Sequence, residues 1–279
     1  MAHNHTNHGR TNERTTLLDN TTTTKPPNHS PTTRLKTHFT SPVSPNKGYL
    51  ALLFCYTITG LLDSSSVATW GSFVSMQTGN SIYLGSGLVA PRESDRWLRA
   101  LLSICAFCLG AFAFGRFHRA CGGRTRWVIV ASYLAQFLFV LAAALVIQYD
   151  PQDSDPKLRA LDLWTALPLV FLAFQAAGQA VISRVLGYGG LTSVVLTSIY
   201  CDLFSDEKLL LWAEADPLRN QRAAAIVLLL LGAMIGGLWA QSPIGLQGAL
   251  WTAVGFKAVL VVTWCFWASD KEEDDETTD

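Results

Sequence analysis

The sequence predicts an all-α membrane protein, with six transmembrane helices in one bundle and two short broken or re-entrant segments set among them. Three observations lead there. Six stretches are long and apolar enough to cross a bilayer, whose roughly 30 Å of hydrocarbon needs about 20 residues of helix. Charged residues make up only 15% of the 279-residue chain and cluster between those stretches. Two further segments combine apolar residues with glycine and uncharged polar groups, a composition that suits backbone buried in protein better than a helix facing lipid.

Residues 1–46 form a Thr-, Asn-, His- and Pro-rich arm holding five of the six histidines. So few apolar side chains cannot offset the entropy of ordering them, and the composition predicts disorder. Within the arm, Glu13, Leu17 and Leu18 match the acidic dileucine pattern that cytosolic sorting adaptors bind. That pattern makes an adaptor a candidate partner and an endosomal or vacuolar membrane a candidate destination, beside the plasma membrane.

The membrane domain, residues 47–268, begins with an apolar run from Tyr49 to about Trp70 that contains Asp63. A carboxylate at that depth must find partners in the bundle interior. It is either a proton- or cation-binding group or a helix-capping one beside Ser64, Ser65 and Ser66. Residues 71–90 follow with four glycines and with Gln77, Thr78, Gly79 and Asn80, whose amide, hydroxyl and exposed backbone groups could line a solute site or satisfy a broken helix. Leu98–Phe117 and Trp127–Ile147 complete the first half.

The second half repeats the layout: Leu163–Val185, a glycine-bearing segment over 187–204, then Ala223–Ala240 and Gln247–Trp267. Its polar set is Gln175, Gln179, Thr197 and Asp202. Lys257 falls mid-span, with Asp63 or Asp202 as candidate partners across the bundle. Residues 269–279 are an acidic, solvated tail. Gly232, Gly236 and Gly237, and the pairs Ala106–Gly110 and Ala111–Gly115, supply small residues for close helix contact.

Basic residues ahead of the first span place the N-terminus, and with six spans the C-terminus, in the cytosol. Counting charges leaves six and eight spans tied, because six leaves Arg92, Arg96, Arg99, Lys157 and Arg159 on the wrong side. Composition favours six. With three spans each, the half-repeats at about 49–147 and 163–268 are inverted, an arrangement that points to a midplane binding site. With eight spans they would be parallel.

Thr59-Gly60-Leu61-Leu62-Asp63 followed by Met76-Gln77-Thr78-Gly79-Asn80 resembles the signature of the YoaK-like membrane proteins of bacteria and fungi. That resemblance covers about residues 47–268 and implies a multi-pass membrane protein whose domain has no established function. The second half departs from the pattern, with Gly178-Gln179-Ala180 lacking an Asn and Thr197-Ser198 replacing a Thr-Gly.

Neutral net charge and sparse basic residues exclude a nucleic-acid partner on electrostatic grounds. No HExxH, GxSxG or P-loop motif occurs, so an enzyme, a metal centre and a resident cofactor are not expected. The expected function is a secondary transporter or permease for a small solute, with proton coupling through Asp63 as a candidate mechanism. The alternative is a non-transporting membrane scaffold or accessory subunit.

Overall fold

The computed structural model describes residues 31–150, 161–207, 209 and 216–268. The sorting motif at Glu13, Leu17 and Leu18 and the acidic tail from residue 269 onward lie outside the described residues.

Among the described residues the fold is helical throughout: α1 (Pro31–Thr40), α2 (Gly48–Trp70), α3 (Gln77–Val89), α4 (Arg96–Cys121), α5 (Arg126–Gln148), α6 (Leu163–Val185), α7 (Thr197–Phe204), α8 (Pro217–Gln241) and α9 (Leu246–Cys265). Six of these, α2, α4, α5, α6, α8 and α9, are long and apolar enough to span a membrane. The chain is an integral, multi-pass membrane protein. Residues 71–90 and 187–204 yield only the short α3 and α7, so the eight-span alternative falls away.

Helix ends follow local chemistry. Gly71 and Gly122 close α2 and α4 in the left-handed region, at φ 69° and 90°, where a side chain would be strained. Asp162 and Asp216 cap α6 and α8 by accepting backbone N–H bonds from their first turns.

The packing is organised around α2, which lies against α8, α9 and α6, while α4 packs on α6 and α5 on α9 and α6. Glycines bring α2 and α8 into backbone contact. A Cβ at Gly232 would sit 2.1 Å from the Thr57 carbonyl oxygen, and one at Gly60 2.1 Å from that of Leu229. Gly110 admits α6 in the same way, 2.6 Å from the Phe174 oxygen. Lipid gives apolar helices little reason to associate, so close approach of backbones is what holds such pairs together.

Two loops double back into this bundle. After Trp70 the chain folds down beside α2 until Val74 and Ser75 reach Asp63, then leaves as α3 along the first half of α4. Asp63 lies seven residues before Trp70, or about 10 Å below the end of α2 at 1.5 Å per residue. After α6 the chain likewise folds back until Ser193 reaches Gln179, then leaves as α7 against α8. The two loops enter from opposite ends of the bundle, because α2 begins where α6 finishes, with Gly48 beside Tyr188 and Leu186.

Only the tips of these excursions are shielded, which corrects the expectation that both segments lie inside the bundle. Ser72, Val74, Ser75 and Asn80 are buried, whereas Ile82, Leu88 and Val89 on α3 and Tyr200 and Phe204 on α7 are exposed. The polar groups that tie the first loop lie in that loop and the first turn of α3, whereas α7 exposes Thr197, Ser198 and Asp202. Beyond that turn the large outward side chains of α3, Ile82, Leu88 and Val89, are apolar and compatible with lipid.

The arm is also more structured than its composition predicts. Residues 31–40 form α1, and Pro42 forms an isolated antiparallel bridge with Thr125. Val43 is fully buried. Arg126, 1% exposed, donates to the carbonyls of His38 and Trp267, and Ser44 N–H donates to the Ala268 carbonyl. Ordering comes from partners more than eighty residues away, so composition alone misses it. The contacts also place the start and end of the membrane domain on one face.

Candidate functional site

The sequence-predicted residues divide into three places. The first is a latch built from the signature residues. Asp63 accepts bonds from the backbone N–H groups of Val74 and Ser75, both 2.9 Å, and from the Ser75 hydroxyl. Asn80, fully buried, uses both ends of its amide: Oδ1 accepts from Ser72 Oγ and Phe73 N–H, and Nδ2 donates to Phe73 O and Gln77 Oε1. Gln77 in turn donates to Val74 O and to Ser103 on α4. A loop in hydrocarbon has no water to satisfy its backbone, and these side chains supply the missing partners. Gly79 is part of the same turn, since a Cβ there would come within 2.6 Å of the Phe73 ring. Thr78 points outward and is exposed.

Above the latch, Arg96 and Arg99 close the end of α2. Arg96 Nε donates to Gly71 O and Arg99 Nη1 to Trp70 O, at 2.5 and 3.0 Å. Cations suit the C-terminus of a helix, where carbonyls are left over. Arg96 also lies over the Tyr83 ring, 3.5 Å from its centroid.

The second place is the bundle centre. Lys257 on α9 is fully buried and donates to Gln136 Oε1 on α5 at 2.7 Å and to Gln179 Oε1 on α6 at 2.8 Å. Gln179 Nε2 donates onward to Cys55 O and Thr59 Oγ1 on α2 and to Ser193 Oγ at the tip of the second loop. Ser193 holds φ 60°, a conformation that non-glycine residues adopt at a cost of about 1–3 kcal/mol and that clusters at functional sites. Lys257 therefore pairs with amides, and neither Asp63 nor Asp202 reaches it.

This centre has unused hydrogen-bonding capacity. An ammonium has three donors, and two are engaged. Gln136 Nε2 and Gln175 Oε1 are buried without a partner among the described residues, as is Ser132 Oγ one turn from Gln136. Buried polar atoms are satisfied in the great majority of cases, so the open donor of Lys257 and the Gln136 amide bonded to that lysine mark a place where a ligand can bind.

The third place holds the outliers. Thr197 is exposed at the start of α7. Asp202 lies at the surface, with its carboxylate 3.8 Å from Arg222 on α8 and its side chain 51% exposed. Neither belongs to the centre.

Gln136 and Ser193 were not among the sequence-predicted residues. Gln136 carried a usable signal, a lone amide in the middle of an apolar span that has to find a partner. Ser193 carried little, because nothing in 187–196 marks which residue forms the tip.

Compared with known proteins, residues 51–263 match the family described as proteins of unknown function, DUF1275. Neither a curated protein nor a solved structure matches the chain.

Proposed function

The chain belongs to the DUF1275 family of proteins of unknown function, and from that premise we propose that it is a secondary transporter for a small, negatively charged solute held at Lys257. The observation that carries this reading is a lysine amine sealed at mid-bundle with two amide oxygens and no carboxylate in contact among the described residues. Burying an ammonium without a counter-charge costs several kcal/mol. A small anion at the third donor, with Gln136 Nε2 beside it, offsets that cost and fills the open valences.

The layout supports the same reading. Exchanging the halves maps α2 on α8 to α6 on α4, and the Asp63 latch to the Gln179–Ser193 latch at the opposite end. We infer an inverted repeat, the architecture whose interrupted segments frame a midplane site. Lys36, Lys47, Arg116, Arg119, Arg124 and Arg184 gather toward the face that bears residues 38–45, a distribution that supports a cytosolic assignment of that face on the positive-inside rule. Arg96 and Arg99, on the other face, are used to close α2.

Proton coupling through Asp63 fits the geometry less well, because its carboxylate is already occupied by three donors of its own loop. We assign Asp63 to holding the loop and the solute chemistry to Lys257. The scaffold reading draws on a different observation, the closed centre and the backbone-tight α2–α8 contact. Flux separates the two. Purified protein in proteoliposomes is loaded with a panel of small anions (acetate, lactate, bicarbonate, chloride), and saturable uptake is measured for wild type and Lys257→Met. Uptake that is lost in the variant supports the carrier; no uptake across the panel, or uptake indifferent to Lys257, rejects it and favours the scaffold.

A further inference from the structure

A second basic site lies at the loop-bearing ends of α4 and α6, away from Lys257. A cavity of about 540 Å³ opens there, lined among others by His118, Arg119, Arg124, Arg184, Gly115 and Val181. From its shape and donor set we infer that this cleft binds a phosphate monoester, either the head group of an anionic lipid or a soluble phosphate.

The charges come first. Three guanidinium groups converge on the cavity, and none has an ion pair among the described residues; Arg222, in contrast, faces Asp202. Arg184 Nη1 is steadied by the Ala180 carbonyl at 3.0 Å, which leaves its other donors available. Guanidinium groups match phosphate in charge and in fork geometry.

His118 is the second, independent observation. It is 2% exposed, its Nδ1 lies 3.1 Å from the Gly123 carbonyl, and its Nε2, itself buried, has no partner among the described residues. A carbonyl only accepts, so Nδ1 carries the proton in the neutral ring and Nε2 keeps an unused lone pair. A hydrogen phosphate or phosphomonoester monoanion offers both P–O⁻ for the arginines and P–OH for that nitrogen. A phosphodiester offers no P–OH.

Gly115 shapes the wall. The atom nearest to a Cβ built there is Arg119 Nη1 at 3.3 Å, so the missing side chain lets that guanidinium lie against α4. The Ala111–Gly115 pair thus opens a cleft, where the sequence suggested a helix contact. Farther in, the wall passes to Ala111 and Val181, apolar residues that suit the glycerol end of a lipid. Basic pockets between transmembrane helices at the cytosolic rim are recurrent lipid head-group sites.

The test uses the full chain in phosphatidylcholine nanodiscs, with native mass spectrometry and thermal stabilisation as readouts. Phosphatidic acid is the lipid probe, phosphatidylserine the diester control and glycerol 3-phosphate the soluble probe. Phosphatidic acid is expected to be retained at least tenfold over phosphatidylserine, and the Arg119→Gln/Arg124→Gln/Arg184→Gln triple variant to lose that preference. Arg222→Gln is expected to keep it. Binding of glycerol 3-phosphate with the same arginine dependence identifies a soluble source, and lipid-only binding identifies the membrane. Should the triple variant fail to fold, the single Arg124→Gln change in the exposed α4–α5 loop serves instead, with a several-fold loss expected. Equal retention of both anionic lipids, or wild-type binding by a folded variant, overturns the inference. Its outcome is independent of the flux experiment.

Discussion

The two inward loops of this protein are built alike and finished differently. In the first half, Asp63, Gln77 and Asn80 spend their hydrogen bonds on the loop itself or on Ser103 beside it. In the second half, Gln179 ties the loop through Ser193 but also reaches α2 and accepts from Lys257. One latch closes on itself; the other is wired to a buried amine with one donor to spare. The difference teaches that the most conspicuous polar motif of a membrane sequence can be the scaffold of a site, while the chemistry sits where valences stay open.

The largest expected effect tests the frame that both loops share. Gly232→Leu drives a side chain into the Thr57 carbonyl, a backbone atom that cannot step aside. Overpacking of this kind costs about 1–3 kcal/mol and more against backbone. The variant should fail to give a monodisperse, folded protein in size-exclusion chromatography. If it behaves as wild type, α2 and α8 are not in the contact described.

The comparison itself predicts a double dissociation. Asp63→Ala leaves two buried N–H groups without an acceptor, at about 1–3 kcal/mol each. Its melting temperature in detergent should fall clearly, while protein that remains folded keeps its affinity for the solute. Lys257→Met strands two amide oxygens at a similar cost, yet it also removes the penalty of an unneutralised buried cation, about several kcal/mol. Its stability should therefore change little, in either direction, while solute binding is lost. The opposite pattern would return the chemistry to Asp63 and break the distinction between the halves.

Much of this was legible because hydrocarbon leaves few options. Span lengths, the glycine-bearing interruptions and a mid-span Lys257 all follow from what lipid refuses to solvate. The spacing from Asp63 to Asn80 is local, so it survives in the sequence as a motif. Thr78 and Thr197 were aligned by the repeat, and both point outward, because helix phase rather than spacing decides which way a residue faces. The anchoring of residues 38–45 was invisible for another reason. It depends on Arg126 and on the segment after α9, contacts that no local composition encodes.

Gln136→Leu sharpens the comparison at the open centre alone. Gln136 contributes one acceptor to Lys257 and an amide nitrogen without a partner among the described residues. If that donor faces the solute, its removal weakens binding by about tenfold, the worth of one hydrogen bond at roughly 1.4 kcal/mol. Titration of the solute by isothermal calorimetry measures it, and an unchanged affinity would place the solute elsewhere.

The smallest effect is expected at Asp202, which the sequence offered beside Asp63 as a candidate partner for Lys257. Its partner Arg222 is 3.8 Å away, and half of the Asp202 side chain is exposed. Arg222 also donates to the Asp202 carbonyl at 3.4 Å, a contact that Asp202→Asn retains. Exposed ion pairs contribute about 0–1 kcal/mol and are screened by salt. Asp202→Asn should shift the melting temperature by no more than a degree or two and leave flux at the wild-type level. A large loss of flux would mean that the surface of α7 enters the transport path, and the second half would then have its chemistry at both ends of its loop.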